Sequence, residues 1–289
     1  MALEFLKHDV SANLNQQMLM DPTDTLFGRI GSLETRLARS QREVDAAQSV
    51  RYRVFVEEMK AHLSPAAMRL RRDIDAYDAI CDHLLVVDRA IEGDIEDQIV
   101  GTYRLLRQQV AVDNGGFYSA SEFDIAPLLA RHPDKQFMEL GRSCVLPAYR
   151  TKRTVELLWQ GNWAYALKHG ISAMFGCASF PGVRPEEHAL ALSFLHHNAR
   201  VKGEWLASAL PHLYREMDLM PREGINARRA LAAMPPLIKG YLRLGAMIGD
   251  GAVVDQAFNT TDVLVVLPIA SISDRYINYY GADAGRFAS

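Results

Sequence analysis

The spacing of apolar residues in the first part of the chain predicts a strand, a helix and a hairpin. Ile30–Ala38 alternates between apolar and polar side chains, which is typical of a strand with one buried face. Apolar residues recur near helical spacing from Glu43 to Glu58 and predict an amphipathic helix. Two runs rich in β-branched residues, Cys81–Asp88 and Gln98–Leu106, flank an acidic turn and predict an antiparallel hairpin.

The middle of the chain predicts a strand, a helix and a second strand, over Gln136–Val145, Arg153–Gly170 and Ile171–Ala178. A strand–helix–strand order favours a right-handed crossover within a mixed sheet. Further along, the pattern predicts a helix over Pro185–Asn198 and two helical pieces within Asn226–Leu244, split at Pro235-Pro236. A last strand is predicted over Asp262–Pro268 and a terminal helix over Ser273–Tyr280.

These elements, in the order β-α-β-β-β-α-β-α, predict one α/β domain with a mixed central sheet flanked by helices. We expect this domain to cover residues 29–289, with a C-terminal helical elaboration over about residues 181–289. Residues 1–28 show no sustained period and include several Asn and Gln side chains, so we expect a loosely ordered leader there. A chain of 289 residues is long enough to bury a proper core.

Composition narrows the class of protein. Hydrophobic residues make up 49% of the chain and charged residues 23%, which indicates a folded globular protein. The three cysteines, Cys81, Cys144 and Cys177, are too few and too scattered for a disulfide framework or a zinc site, so we expect buried free thiols. The N-terminus lacks the layout of a signal peptide and no apolar run reaches the ~18 residues of a membrane span, so the cytoplasm is the expected compartment.

The net charge of −3 is unevenly distributed. Between Arg142 and Arg243 the chain has 14 Lys and Arg residues against 7 Asp and Glu residues, so the remainder is acidic. A basic region indicates contact with something anionic, such as nucleic acid, lipid headgroups or an acidic protein. The alternative is a solvated helical surface with no such partner.

The segment from Glu139 to Arg150 carries the clearest sign of chemistry. Its predicted strand holds a carboxylate and a guanidinium three residues apart, Glu139 and Arg142, before it breaks at Pro147. The following turn, residues 150–154, is cationic and opens the predicted helix, where free backbone N–H groups and the helix dipole favour a phosphate ligand. A strand carboxylate ahead of a phosphate-binding turn is what acyl transfer from a phosphopantetheine thioester needs.

Charged residues recur within apolar segments in four groups: Arg51 with Phe55, Asp75 with Asp78, Arg104 within Gly-Thr-Tyr-Arg-Leu, and Glu139 with Arg142. Charged side chains are costly to bury unless they are paired. One interpretation of these groups is therefore structural: Arg104 forms an ion pair with Glu139 or Asp78, and such pairs hold the sheet together.

The four groups follow the order seen in the acyl-homoserine-lactone synthases, which the chain resembles and which belong to the wider GNAT acyltransferase fold. The run Pro236–Ala246, with Asp255-x-x-Phe258 and Thr261-Asp262-Val263, instead resembles the bacterial ornithine N-acyltransferases, a haemolysin-like family that makes lyso-ornithine lipid. The likeness extends over about residues 30–280. It implies a GNAT-like mixed sheet and an enzyme that transfers a 3-hydroxyacyl group to the α-amino group of L-ornithine.

The resemblance also implies which residues act in catalysis. Glu139 and Arg142 are the catalytic candidates, with Glu139 taking a proton from the attacking amine if burial raises the pKa of its carboxyl group. Backbone N–H groups near Leu140–Cys144 would polarise the thioester carbonyl. The substrate-binding candidates are Arg51, Phe55, Asp75, Asp78 and Arg104. The two aspartates would hold the cationic amino acid, and Arg104 or Arg142 its carboxylate.

The resemblance implies that the donor is the acyl-phosphopantetheine of acyl carrier protein, with no tightly bound cofactor. The candidates for contacting its phosphate are Arg150, Lys152, Arg153 and Thr154. This turn lacks the glycine-containing loop with which common acetyl-CoA-binding GNAT enzymes hold a pyrophosphate. Side-chain cations suit a single phosphate, and acidic acyl carrier protein would complement the basic region between Arg142 and Arg243.

Other functions stay open at this point. Lactone synthases have a tryptophan soon after the first helix, where this chain has Met59-Lys60. A membrane-active lytic protein would fit the haemolysin-like label, but no signal peptide, spanning segment or amphipathic repeat supports it. A nucleic-acid-binding module lacks a recognisable motif and ranks lowest, so no nucleic acid partner is expected.

Several residues have weaker claims to a role. Cys144 as an acyl-accepting nucleophile lacks a histidine partner. His188, His196 and His197 fall on one predicted helix, but no acid or cysteine completes a ligand set, so no metal is expected. Trp159 and Trp163, one helical turn apart, are expected in the core.

The lipid product implied by the resemblance would remain in the inner leaflet of the membrane. The basic stretch Arg228–Met247 is therefore a candidate for peripheral membrane contact. A buried helix hairpin is the alternative for the same stretch. We expect a cytoplasmic protein, with this stretch as the candidate contact to the inner membrane.

Overall fold

The computed structural model describes residues 25–273 and Tyr276. Its strands form one eight-stranded sheet with the order β1-β2-β3-β4-β5-β6-β8-β7. The strands are β1 (Leu26–Ile30), β2 (Leu33–Leu37), β3 (Asp82–Asp88), β4 (Ile99–Arg107), β5 (Phe137–Val145), β6 (Ala173–Pro181), β7 (Met247–Asp255) and β8 (Thr260–Pro268).

Helices flank this sheet. They are α1 (Gln41–Tyr52), α2 (Pro65–Leu70), α3 (Ile95–Gln98), α4 (Gln108–Asp113), α5 (Ala126–Ala130), α6 (Lys152–Lys168), α7 (Ala189–Asn198), α8 (Ala227–Ala233) and α9 (Pro236–Arg243). The first of them continues into π-helical turns over Arg53–Glu58. Ser40 caps α1 and Thr151 caps α6, each accepting a hydrogen bond from the backbone N–H three residues later.

Among the strands of the described residues, only β5 and β6 pair in parallel, and all other neighbours are antiparallel. Helix α6 connects these two strands and packs on β1, β2 and β3. It approaches the sheet closely at Gly161, where a Cβ atom would lie 2.8 Å from the Leu84 side chain. The predicted mixed sheet with flanking helices, and the strand–helix–strand unit within it, are confirmed.

Most predicted elements are found within a few residues of their expected bounds. The hairpin of β3 and β4, the long helix α6 and the two helices split at Pro235-Pro236 are confirmed. The helix expected over Pro185–Asn198 begins as a 3₁₀ turn, Pro185–His188, and continues as α7. All three cysteines are free thiols; Cys81 and Cys144 are buried and Cys177 is half-buried.

Two predictions about strands were wrong. The single strand expected over Ile30–Ala38 belongs to a hairpin of β1 and β2, because Gly31 adopts a positive φ of 62° and reverses the chain. Strand β7 was missed, since Gly249, Asp250 and Gly251 interrupt its apolar pattern at an irregularity in the pairing with β8. The C-terminal part therefore contains a β-hairpin of the central sheet as well as the expected helices.

Two predicted segments lie largely outside the residues that the structure describes. The leader expected over 1–28 lies outside the described residues up to residue 24, and residues 26–28 begin β1. The helix expected over Ser273–Tyr280 also lies outside the described residues, apart from Ser273 and Tyr276.

The parallel pairing of β5 and β6 ends abruptly. It extends only over Phe137–Glu139 of β5 and Ala173–Phe175 of β6. At the next position, Gly176 comes so close to β5 that a Cβ atom there would lie 2.2 Å from the Leu140 carbonyl oxygen. Beyond this contact β5 continues with β4, and β6 continues with β8. The sheet is therefore open between the two strands, and a cavity lies there.

A closed ring of ion pairs joins the elements on one side of this opening. We call it the ionic ring; its members are Arg51, Asp73, Arg142, Asp75, Arg104 and Asp78, and each contacts the next. Arg51 of α1 is fully buried and donates from Nε to Asp73 Oδ2 at 2.8 Å. Its two Nη groups donate to the two oxygens of Asp78 at 2.6 and 2.9 Å.

The other two arginines come from the sheet. Arg142 of β5 donates from Nε to Asp73 at 3.0 Å and from Nη2 to Asp75 at 3.1 Å. Arg104 of β4 donates from Nη1 to Asp75 and, at 3.2 Å, to Asp78. Because every aspartate bridges two arginines, the ring fixes α1, the loop at residues 73–78, β4 and β5 relative to one another. The structural interpretation of Arg104 is thus confirmed for Asp78, with Asp75 as a further partner.

We predict that Arg51→Met destabilises the fold by roughly 3–5 kcal/mol, because it leaves two buried carboxylates with one cation fewer. Urea unfolding monitored by circular dichroism measures this difference. Arg42→Met is the matched control on the same helix, since Arg42 is exposed in its pairs with Asp94 and Glu96 and its loss should change the free energy of unfolding far less. Equal losses in the two variants would contradict a structural role for the ring.

Candidate active site

The opening between β5 and β6 contains a cavity of about 640 Å³. Its wall has three parts of different chemistry. The polar part includes Tyr118, Ser119, Glu139, Arg142, Asp255 and Asp262. The apolar part includes Val54, Met59, Leu158, Trp159, Pro236 and Leu237. The cationic part consists of Arg150 and Lys152, together with Thr151.

A β-bulge directs Arg142 into the polar part. Thr102 of β4 pairs with Cys144 and Arg104 pairs with Gly141, so two residues of β5 lie opposite one residue of β4. Arg142 sits in this bulge with a φ of 50°, which is unusual for a residue other than glycine. Its guanidinium group lies between the rings of Tyr118 and Phe258, 4.9 and 4.2 Å from their centroids.

Glu139 is the last residue of β5 that pairs with β6, and its buried carboxylate lines the cavity. It accepts hydrogen bonds from the backbone N–H groups of Tyr118 and Ser119, at 2.9 and 2.6 Å, and from the Ser119 hydroxyl. Burial raises the pKa of Glu139, although these hydrogen bonds act in the opposite direction. A carboxylate held in this way is a candidate proton acceptor at the split between the strands.

Four of the five predicted substrate-binding residues belong to the ionic ring, and the fifth, Phe55, lies at the cavity wall. Arg51, Asp78 and Arg104 are buried within the ring, and Asp75 is the aspartate of the ring with the most exposed side chain. Burial opposes ionisation of Asp75, but Arg104 and Arg142 hold the pKa of its carboxyl below the usual value. Phe55 lines the cavity and packs edge-on against Phe258.

Asp255 and Asp262 of the polar wall form, together with Glu122, a group of carboxyl groups that we call the acidic cluster. One carboxylate oxygen of each lies within 4.8 Å of the others. Burial and the neighbouring Asp262 raise the pKa of Glu122 to about 8. Burial raises the pKa of Asp262 to about 6. The cluster therefore brings together three carboxyl groups from β7, β8 and the segment after Ser119, and two of them keep their protons to a higher pH than an isolated carboxyl does.

Two tyrosines are linked beside the apolar part of the wall, which Tyr103 lines and Tyr241 does not. The hydroxyl groups of Tyr103 and Tyr241 are 3.0 Å apart, and both side chains are buried. Tyr241 packs edge-on against Trp159, with ring centroids 5.1 Å apart. Trp159 and Trp163 belong to the core, as predicted, and Trp159 also faces the cavity. This arrangement gives the cavity an apolar compartment with few polar groups.

The cationic turn differs in detail from its four predicted residues. Arg150 forms two hydrogen bonds with Glu58, one of them at 2.7 Å, and also donates to the Val145 carbonyl. Lys152 is highly exposed and pairs with Glu156 at 3.2 Å. Arg153 is exposed and Thr154 is buried beneath the turn.

Thr151 is a residue of this turn that the sequence reasoning missed. It lines the cavity, caps α6 by accepting the Thr154 backbone N–H, and lies with its Oγ1 3.2 Å from that of Thr154. A threonine two residues before the first turn of a predicted helix is a recognisable capping signal.

The three thiols that line the cavity, of Cys81, Cys144 and Cys177, are protonated at neutral pH. Burial raises the pKa of Cys144 to about 12 and raises the pKa of Cys177 well above its ordinary value. A thiol is a weak nucleophile, so these environments disfavour acyl transfer to cysteine.

The histidines of α7 have a partner that the sequence did not reveal. His197 Nε2 lies 2.8 Å from Asp218 Oδ1, and His196 Nε2 lies 3.9 Å from Asp218 Oδ2. An acid from a later loop thus completes the group, contrary to the expectation that no acid lies near these histidines. His188 instead contacts the Pro181 carbonyl oxygen at 2.7 Å. None of these three histidines lines the cavity.

Comparison with known proteins supports one acyltransferase family. A family model described as an acetyltransferase (GNAT) domain matches residues 50–160. The L-ornithine N(alpha)-acyltransferase of Rhizobium meliloti is 74% identical, over 97% of this chain and 95% of that protein. Proteins of the same name from Agrobacterium fabrum and Rhodobacter capsulatus are 70% and 39% identical, over 99% and 86% of this chain and 99% and 95% of their own lengths.

The chain belongs to the L-ornithine N(alpha)-acyltransferase family. It is therefore an acyltransferase, and its mixed sheet is that of a GNAT-type domain. Of the two families that the sequence resembles, this is the one indicated by the run Pro236–Ala246 and by Asp262. The lactone-synthase, lytic and nucleic-acid-binding alternatives are accordingly set aside.

Four further residues in or beside the cavity and the ionic ring were given no role from the sequence. Asp73 completes the ionic ring, Ser119 contacts Glu139, and Glu122 and Asp262 belong to the acidic cluster. Asp262 was noted only as part of a matching run, and Glu122 stands in a polar loop that looks like surface. Their proximity depends on β8 lying next to β6, which no local pattern reveals.

We predict that Asp262→Asn stabilises the fold at pH 8 by roughly 1–3 kcal/mol and that the gain disappears near pH 4. The folded-state pKa of about 6 lies above the ~3.9 of an unfolded aspartate, so ionisation of the buried carboxyl costs stability. This cost is absent below the unfolded pKa, grows as pH rises, and is complete above the folded pKa. Thermal unfolding across this range measures it, with the exposed Asp134→Asn as control. A gain independent of pH would contradict the explanation.

Proposed function

We propose that this chain transfers a 3-hydroxyacyl group from acyl carrier protein to the α-amino group of L-ornithine, forming lyso-ornithine lipid. One observation carries the proposal: in this member of the family, a buried carboxylate, an apolar compartment and a cationic turn meet in a single cavity where β5 and β6 separate. Each part of this wall suits one part of the two substrates.

The donor would occupy the apolar and cationic parts of the wall. The acyl chain lies against Leu158, Trp159 and Leu237, where its burial is favourable. The phosphate of the phosphopantetheine lies at Arg150 and Lys152, near the N-terminus of α6 and its free backbone N–H groups. Arg153 and Thr154 are also proposed to contact this phosphate. Arg153 would do so through its exposed charge, and Thr154 through its place in the same turn.

The acceptor would occupy the polar part. Its carboxylate is paired with Arg142, whose guanidinium group faces the cavity between two aromatic rings. Asp75 and Asp78 were predicted to hold the cationic amino acid, and Arg51 and Arg104 to help bind it. In the ring each of these aspartates already contacts two arginines, so we propose that the four residues position Arg142 rather than contact the substrate directly.

The reaction needs one proton acceptor and a stabilised carbonyl. The α-ammonium gives a proton to Glu139, directly or through a water molecule, and the neutral amine attacks the thioester carbon. The C–N bond forms as the C–S bond breaks, and the phosphopantetheine thiol leaves with a proton. Backbone N–H groups of β5 beyond Glu139, where pairing with β6 has ended, are the proposed donors to the developing oxyanion. Holding both substrates in one cavity supplies much of the rate.

We predict that Glu139→Gln lowers kcat by roughly 100-fold or more, because the amide cannot accept the proton. The assay combines purified enzyme, a 3-hydroxyacyl carrier protein and labelled L-ornithine, followed by lipid extraction and chromatography. Glu204→Gln, outside the cavity, is the control, and circular dichroism checks that both variants fold. Unchanged turnover in Glu139→Gln would remove this residue as the base.

We also predict that Lys152→Glu raises KM for the acyl carrier protein substrate by roughly 2- to 10-fold and that added salt reduces the difference. Lys152 is highly exposed beside the cavity, where it would meet the acidic carrier protein. Lys168→Glu, at the other end of α6, is the matched control. A KM that responds equally in the two variants would argue against docking at the cationic turn.

Peripheral contact with the inner membrane is a further part of the proposal. The apolar side chains of the stretch Arg228–Met247, among them Met234, Ile238 and Tyr241, are buried in the core, so the helix-hairpin alternative accounts for them. Contact would instead involve the exposed Arg228 and Arg243 and anionic lipid headgroups. None of the helices over the described ranges is long and apolar enough to cross a bilayer.

A further inference from the structure

The acidic cluster is the strongest feature that the proposed acyl transfer leaves without a role. Three carboxylates, of Glu122, Asp255 and Asp262, meet there within 4.8 Å. Within the described part of the chain, no Lys or Arg side chain forms an ion pair with any of them. The aspartates of the ionic ring, by contrast, each contact two arginines. Carboxyl groups that lack a cationic partner ionise more readily when a cation binds beside them, so the cluster favours a cationic ligand.

Asp262 provides an independent observation. It lies inside the sheet, where β8 pairs with Ser179 of β6 and with Val253 of β7, and only 5% of its surface is exposed. Its Oδ1 atom is buried and has no hydrogen-bond partner among the described residues. The side chain nevertheless lines the cavity. A buried carboxylate oxygen without a donor is costly, and a ligand that donates to it would remove that cost.

We infer that the acidic cluster binds the side-chain ammonium group of the acceptor amino acid and so selects ornithine over amino acids with uncharged side chains. The inference rests on the proposed function, because it assigns the second amine of the same substrate. It also assigns the recognition of that amine to residues other than Asp75 and Asp78, whose carboxylates are already paired in the ring.

The position of the cluster relative to the proposed base supports this assignment. The Cys177 thiol lies 3.3 Å from Glu122 Oε2 and 3.4 Å from the Ser119 hydroxyl, which in turn contacts Glu139. The cluster and the base are therefore separated by about the width of two small side chains. An α-amine at Glu139 and a second amine several bonds away can reach both groups, and Arg142 remains available for the carboxylate.

The test compares L-ornithine with L-norvaline, which has the same carbon skeleton without the second amine. Full-length enzyme and a 3-hydroxyacyl carrier protein are used, and kcat/KM is measured for each amino acid. The wild type should strongly prefer ornithine, because norvaline leaves the buried Oδ1 atom of Asp262 without a donor. In Asp262→Asn, the ratio of the two kcat/KM values should fall by roughly 10- to 100-fold.

Glu122→Gln is the second variant, in case Asp262→Asn fails to fold, and the same fall in the ratio is expected. Glu139→Gln is the matched control: it should lower turnover with both amino acids and leave their ratio unchanged. A ratio that stays at the wild-type value in both cluster variants would overturn the inference, as would equal use of ornithine and norvaline by the wild type.

Calorimetry separates failure of the inference from failure of the proposed function. If the wild type shows no acyl transfer to ornithine, the proposed function fails, and titration of the enzyme with each amino acid still tests the site. Tighter binding of ornithine than norvaline, lost in Asp262→Asn, would support the ammonium site. Equal binding would overturn it, and so would Mg²⁺ binding that depends on Asp262 and excludes ornithine, because the cluster would then be a metal site.

Discussion

The fold around the cavity depends on the ionic ring. Arg51 comes from α1, Arg104 from β4 and Arg142 from β5, and aspartates of a single loop connect them. Buried charges of this kind are tolerated only when every partner is present, so the ring constrains all four elements together. Its functional consequence is at Arg142, which the ring and the bulge hold in an unusual backbone conformation facing the cavity.

The second constraint is the early end of the pairing between β5 and β6. Close approach of the strands at Gly176 is followed by separation, so the edge of β5 beyond Glu139 is free of β6. Unpaired strand edges are usually protected in proteins, because their backbone groups need hydrogen-bond partners. Here the exposed edge faces a cavity, where a bound thioester can supply partners. The same geometry thus explains the cavity and the proposed oxyanion site.

The acidic cluster differs from the ionic ring in how its charged groups are paired. The ring pairs every charge, whereas Glu122 and Asp262 lie buried with raised pKa values and form no ion pair with a Lys or Arg among the described residues. A site of this kind costs stability in the free enzyme and regains it when a cation binds. The contrast separates charges that maintain the fold from charges that are available to a substrate.

The amino-acid sequence by itself determined the local elements and the family. Periodicity predicted the β3–β4 hairpin, α6 and the paired helices at Pro235-Pro236, because these patterns depend on neighbours within one element. Glu139 and Arg142 were likewise visible as charges within an apolar strand. The tertiary structure decided which charges meet: Arg104 pairs with Asp75 and Asp78, while Asp262 reaches the cavity wall. Such contacts depend on strand order and on a bulge, and residues far apart in the chain leave no local pattern that reveals them.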